Sequence, residues 1–120
     1  MNEGKKTLLI VDDEARVAKA LTRAMGRYFD EVLSAGTASI ASSILAENKV
    51  THVICDHWLG EGDPLGLDLV PEWRRSYPAI ERAVIMTGLD EKTLIADSGI
   101  DAIVSKLTRS EELARVLDRK

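Results

Sequence analysis

Three acids, a threonine and a lysine stand in this sequence where short apolar runs stop. Leu8-Leu9-Ile10-Val11 stops on Asp12-Asp13-Glu14, and Thr51-His52-Val53-Ile54-Cys55 stops on Asp56. Ala83-Val84-Ile85-Met86 stops on Thr87-Gly88, and Ala102-Ile103-Val104-Ser105 stops on Lys106. An aspartate carboxylate can take a phosphoryl group as an acyl phosphate. That transfer asks a protein for alignment and charge neutralisation more than for covalent help. Carboxylates gathered in one place repel, and neutral forms or a cation must relieve them. Oxygen donors alone favour a hard divalent ion, and Mg²⁺ suits one or two carboxylates plus a phosphate. In this reading Asp56 is the nucleophile, Asp13 holds Mg²⁺ and Asp12 acts through water. Lys106 and Thr87 cover the phosphoryl oxygens.

These residues meet only if the chain brings its strand ends to one edge. After the first run, Val17, Ala20, Leu21, Ala24 and Tyr28 recur at helical spacing, with Gly26 near the end. Residues 31–35 form a weaker strand, and Gly36 or Thr37 opens a helix with Ile40, Ala41, Ile44 and Leu45 on one side. The run ending on Asp56 follows. Residues 57–66 hold four of the glycines and prolines and read as a loop. Leu67, Val70, Trp73 and Tyr77 predict a helix, but Pro71 breaks its ladder outside the first turn. That helix either starts late, capped by Asp68, or is kinked. Residues 90–97 suffice for a short helix stopped by Gly99, and Ser110 caps a last helix with acids first and bases last. Five strands alternating with five helical stretches predict a parallel sheet with helices on both faces. The expected class is α/β, a doubly wound, flavodoxin-like five-stranded parallel sheet of strand order 2-1-3-4-5.

The totals agree with one domain over residues 1–120. A hydrophobic share of 45% and a charged share of 30% are those of a globular protein with a core. A net charge of −4, with Arg74, Arg75 and Arg82 scattered, argues against a nucleic-acid surface. Cys55 is the single cysteine, so neither a disulfide framework nor a zinc site is expected. No run is long enough for a signal peptide or a membrane span, and the expected location is the cytoplasm.

Taken singly, these residues are ordinary. Asp12-Asp13-Glu14 could open a helix, and Asp56 could be a turn residue or cap. Together, Ile10-Val11-Asp12-Asp13-Glu14, Ile54-Cys55-Asp56, Met86-Thr87-Gly88 and Val104-Ser105-Lys106 resemble the receiver domain of two-component response regulators, over nearly the whole chain and in order. The resemblance implies that Asp56 is the phosphorylated aspartate and that Asp12 and Asp13 bind the metal. It adds the backbone carbonyl of Trp58 as a metal ligand, and makes Thr87 the switch hydroxyl and Lys106 the phosphate-binding lysine. It implies a histidine kinase or phosphotransfer protein as donor, with a homodimer and an output domain or protein among the partners. The chain is then a stand-alone receiver or a piece of a longer regulator or hybrid kinase.

Four departures accompany the match. Leu107 stands where the family has a cis-proline after its lysine, and a cis bond before leucine is not expected. Ile103 replaces the aromatic switch residue. Gly60 replaces a proline in a longer loop after Asp56, and the stretch between Thr87 and Lys106 is short. These features motivate a rival of another class, a receiver-like interaction module that is never phosphorylated. An aspartate-nucleophile phosphatase would need an acid where Trp58 stands, so no enzyme is expected. A nucleotide-binding Rossmann turn would need glycines where Asp12-Asp13-Glu14 stands. His52 and His57 read as structural or surface residues, and Glu61 and Asp63 as loop-solvating acids. Trp58 reads as a lid over the acyl phosphate or as a ring packed on its loop.

Overall fold

The computed structural model describes residues 4–88 and 99–118. In chain order they form β1 (Thr7–Val11), α1 (Ala15–Met25), β2 (Glu31–Ala35), α2 (Ala38–Glu47), β3 (His52–Asp56), α3 (Gly66–Ser76), β4 (Arg82–Thr87), β5 (Ala102–Ser105) and α4 (Ser110–Asp118). All strand pairs are parallel, in the order β2-β1-β3-β4-β5. The expected fold class and strand order are both found. The helix expected over 90–97 lies outside the described residues.

The strands are apolar on both faces because each face is covered. Alternate residues of a strand point to opposite sides. Leu9, Val11, Val53, Cys55, Ala83 and Ile85 pack with Ala41 and Leu45 of α2 and with Leu69, Val70 and Trp73 of α3. Leu8, Ile10, Ile54, Val84, Met86 and Val104 face the other way, onto Ala18 and Met25 of α1 and Leu113, Val116 and Leu117 of α4. Each fully buried aliphatic side chain contributes roughly 1.5–3 kcal/mol relative to exposure. Such burial on two faces holds the carboxyl ends of the strands rigidly in register.

The helices correct several finer expectations. In α1 the buried residues are Ala18 and Met25, with Leu21 beside them, whereas Ala20 is exposed. Thr22 sits near this face because its hydroxyl donates to Ala18 O (2.7 Å), which satisfies the polar group within the helix. Thr37 caps α2, its side chain accepting from the Ile40 amide (3.1 Å), but Ile40 itself is half exposed at the margin of the buried line. The helix α3 starts at Gly66, so Asp68 lies inside the first turn and favours the helix dipole without capping it. Pro71 falls beyond that turn and costs the ladder one amide. Pro71 is buried against Gly99, where an added Cβ would lie only 2.8 Å from Pro71 Cα and 3.0 Å from its Cβ. Ser110 is the first residue of α4, and the Leu113 amide donates to Arg109 O (2.9 Å), so Ser110 stands inside the helix.

Gly66 ties α3 to the end of β3. A Cβ there would lie 2.7 Å from Asp56 O, 3.1 Å from Ile85 Cδ1 and 3.2 Å from His57 Cα. Two of those neighbours are backbone and cannot rotate away. Gly66→Ala is expected to destabilise the fold by about 1–3 kcal/mol, through overpacking that shifts α3 from β3. Urea unfolding at constant m-value checks this.

Candidate functional site

The register of the sheet brings the strand ends together. Asp56 pairs with Met86, and Thr87 with Ser105, so Asp56, Thr87 and Lys106 follow one another along the edge. Backbone bonds carry the ladder past the strands. The Asp12 amide donates to Ala35 O (3.0 Å), the His57 amide to Met86 O (2.9 Å) and the Lys106 amide to Thr87 O (2.9 Å). Asp12, Asp56 and Thr87 are buried, and Asp13 is exposed.

Asp12, Asp13 and Asp56 each offer one oxygen, and these three oxygens lie within 4.8 Å of one another. The Lys106 Nζ donates to Asp56 Oδ2 (2.9 Å) and to Glu14 Oε1 (3.3 Å), and stands 4.0 Å from Asp12 Oδ2. Three carboxylates therefore face the Lys106 ammonium with Asp13 beside them, and among these described groups three negative charges stay unbalanced when all four acids are ionised. Burial is the main reason the Asp12 pKa lies above its ordinary value, and the Asp56 charge adds to it. The Glu14 amide, donating to Asp12 Oδ1 (2.9 Å), partly counters that rise. For Lys106 burial works against the charge, but the hydrogen bond to Asp56 and the nearby Asp12 outweigh it and raise its pKa. The ammonium stays protonated. The acids cannot all be neutralised by it, and a hard divalent cation fits the oxygen-only donor set.

A cleft of about 610 Å³ opens at this cluster, and Trp58, Leu65, Thr87 and Lys106 line it together with Asp13, Glu14 and Asp56. Trp58 is 58% exposed, so it stands at the rim of the cleft and is not packed down on its loop. Each residue read from the sequence as a site residue lines this cleft or belongs to the acid cluster. Cys55 is wholly buried beneath it, where burial raises its thiol pKa far above the ordinary value. His52 is a core residue. Its Nδ1 lies 2.8 Å from Thr51 Oγ1, its ring meets Phe29 edge-on at 5.1 Å, and burial lowers its pKa.

Two contributions were not legible in the sequence. Glu14 shares Lys106 with Asp56, and its place directly after Asp12-Asp13 was the available signal. Asp63 was read as a solvating acid, but its Oδ2 accepts from the Ala38 amide (3.1 Å) at the start of α2. It fastens the 57–66 loop to a helix 25 residues away, and no local pattern announces such a contact. Gly60 adopts φ +112°, and a Cβ there would come within 3.5 Å of Asp13 Oδ2. Leu107 is 92% exposed and its peptide bond is trans, as expected. Ile103 is partly buried against the α2/α3 side of the sheet.

No protein-family model matches the chain. A parallel sheet with acids, a hydroxyl and a lysine at its carboxyl edge nonetheless defines the receiver class, and known proteins agree. The chain is 32% identical over 96 residues to the hydrogenase transcriptional regulatory protein HoxA of Cupriavidus necator, covering 80% of this chain and 19% of that protein. It is 30% identical over 118 residues to the DNA-binding transcriptional regulator NtrC of Azospirillum brasilense, covering 94% and 24%. The chain thus spans about a fifth to a quarter of the length of these curated relatives. Among solved structures it resembles a signal receiver domain of an HD domain-containing protein from Pseudomonas fluorescens (TM-score 0.80, 25% identity, 94% of this chain and 91% of that one). It also resembles a response regulator from Burkholderia pseudomallei solved with a phosphorylated aspartic acid, a calcium ion and citrate (TM-score 0.80, 23% identity, 95% and 67%). In fold and in sequence the chain is similar to the receiver domains of two-component response regulators.

Two predictions come from this geometry. Because the Asp12 carboxyl has a raised pKa, the folded state binds more protons than the unfolded one just above pH 3.8. Stability therefore falls as pH rises through that window and stays reduced at neutral pH. In metal-free buffer Asp12→Asn is expected to melt higher than wild type at pH 7, with the gap closing near pH 3.8. Asp63→Ala is expected to cost about 1 kcal/mol of unfolding free energy, the usual worth of a helix-start acceptor.

Proposed function

We propose that this receiver accepts a phosphoryl group on Asp56, from a histidine kinase or a histidine phosphotransfer protein, with Mg²⁺ held at Asp12, Asp13 and Asp56. The 2.9 Å pair between Lys106 Nζ and Asp56 Oδ2, set beside three clustered carboxylates, is the observation that carries this reading. Asp56 supplies the attacking oxygen. As its bond to phosphorus forms, the bond from phosphorus to the donor nitrogen breaks, and the electron pair leaves with the imidazole. Lys106 compensates charge on the phosphoryl oxygens, and the Thr87 hydroxyl donates to one of them. The backbone carbonyl of Trp58 completes the protein's metal ligands. Bound Mg²⁺ would neutralise acid charge and align the phosphoryl group.

The domain is a signalling module, not an enzyme, and residues 1–120 act as one receiver unit. Phosphorylation shifts the population of its surface states toward one that an output domain or protein reads, with homodimers among the states it can favour. Described helices long and apolar enough to cross a membrane are absent, and we place its action in the cytoplasm. The rival reading, a constitutive interaction module, draws on Leu107 and Ile103. The assembled acids and the Lys106–Asp56 pair count against it.

Incubation with Mg²⁺ and acetyl phosphate, followed by intact mass, tests the proposal. Wild type is expected to gain one phosphate and Asp56→Asn none. A wild type without adduct, or an Asp56→Asn variant with the same adduct, would contradict it. Trp58 at the cleft rim is expected to limit water at the acyl phosphate. The dephosphorylation rate of Trp58→Asn should then be several-fold faster, and an unchanged rate removes the lid.

A further inference from the structure

Lys106 is useful only if its ammonium reaches Asp56, and the chain around it lacks the usual means of aiming it. The peptide to Leu107 is trans. The Leu107 side chain is 92% exposed, so its own packing does not fix the backbone that follows the lysine. Hydrogen bonds must define this turn, and three are present. The Lys106 amide donates to Thr87 O (2.9 Å), which fixes the entry from β5. The Thr108 amide donates to Ser105 O (3.0 Å), closing a four-residue turn with Lys106 at its first central position. The Leu107 amide donates to the Ser105 side-chain Oγ (3.0 Å). That last bond is the serine turn, in which a hydroxyl accepts from the amide two residues on.

We propose that Ser105 is a positioning residue whose hydroxyl, by holding the Leu107 amide, fixes the turn that aims the Lys106 ammonium at Asp56. The geometry connects the two directly. Ser105 is the last residue of β5, paired with Thr87, so its backbone is anchored to the sheet. Its side chain reaches forward over Lys106 to the next peptide, leaving the lysine backbone clamped between Thr87 O before it and Ser105 Oγ after it. From that clamp the ammonium reaches Asp56 Oδ2 at 2.9 Å and Glu14 Oε1 at 3.3 Å. Without the hydroxyl the turn keeps one closing bond, and Leu107 offers no apolar contact to replace the other. Lys106 then spends part of its time away from Asp56, where its side chain is solvated.

The functional consequence rests on the proposed phosphorylation of Asp56, but the positioning can be read without it. Ser105→Ala removes the hydroxyl, and Ser105→Thr keeps it. In metal-free buffer, acylation of Lys106 by an amine-reactive ester is followed by peptide mass spectrometry, with exposed Lys19 as internal reference. Labelling of Lys106 relative to Lys19 should rise about 2–10-fold in Ser105→Ala, the range one net hydrogen bond supports, and stay at the wild-type ratio in Ser105→Thr. Phosphorylation by acetyl phosphate should slow by a similar factor in Ser105→Ala while Mg²⁺ affinity, followed by Trp58 fluorescence, is unchanged. A merely structural serine would lower thermal stability in Ser105→Ala without moving the Lys106 ratio. An unchanged ratio overturns the proposal whether or not the wild type takes phosphate. A wild type that takes none, with the ratio raised in Ser105→Ala, overturns only the phosphoacceptor reading.

Discussion

The concentration of negative charge at one sheet edge is the constraint on which this structure depends. Asp12 and Asp56 are buried, Asp13 and Glu14 stand beside them, and among the described residues the ammonium in direct contact is that of Lys106. Burial makes ionised carboxylates costly, and their mutual repulsion adds to that cost. A fold tolerates such a site only if the surrounding core stabilises it elsewhere. Here two apolar layers do so, through α1 and α4 on one face and α2 and α3 on the other. The same strands that bury this core carry the acids to their ends.

That arrangement explains why the site is rigid in its base and adjustable at its rim. The acids leave strands whose ladder bonds continue one residue beyond them. The rim is made of loops, and each is tied by a few specific contacts. Asp63 fastens the 57–66 loop to α2, Gly66 lets α3 approach the Asp56 carbonyl, and Ser105 closes the turn after β5. Through these contacts the rim is joined directly to α2 at Asp63 and to α3 at Gly66.

Much of this was legible in the sequence, for a physical reason. Strands buried on both faces read as unbroken apolar runs, and a charged residue ending such a run has few roles. Asp12, Asp56, Thr87 and Lys106 could therefore be placed at one edge from the parallel alternation alone. Helix faces were less legible. Ala20 and Ile40 fit a helical period yet are exposed, because the sheet covers a narrower stripe than the period allows. Of the two alternatives for α3, the late start capped by Asp68 is not found, since the helix begins at Gly66 and carries Pro71 inside it. Asp63 and Ser105 were missed as contributors because their roles lie in single hydrogen bonds, one of them to an amide remote in sequence.

The donor set of Asp12, Asp13 and Asp56 makes the acid cluster a candidate divalent-cation site built around Asp56. Thermal melting against MgCl₂ concentration tests it most directly, with Asp13→Asn in parallel. A cation that binds only the folded state should raise the melting temperature steadily with the logarithm of its concentration, the added stability being about 2.7 kcal/mol at a hundred times its Kd. That rise is expected for the wild type and is expected to be lost in Asp13→Asn. No rise in the wild type, or the same rise in both proteins, would contradict it.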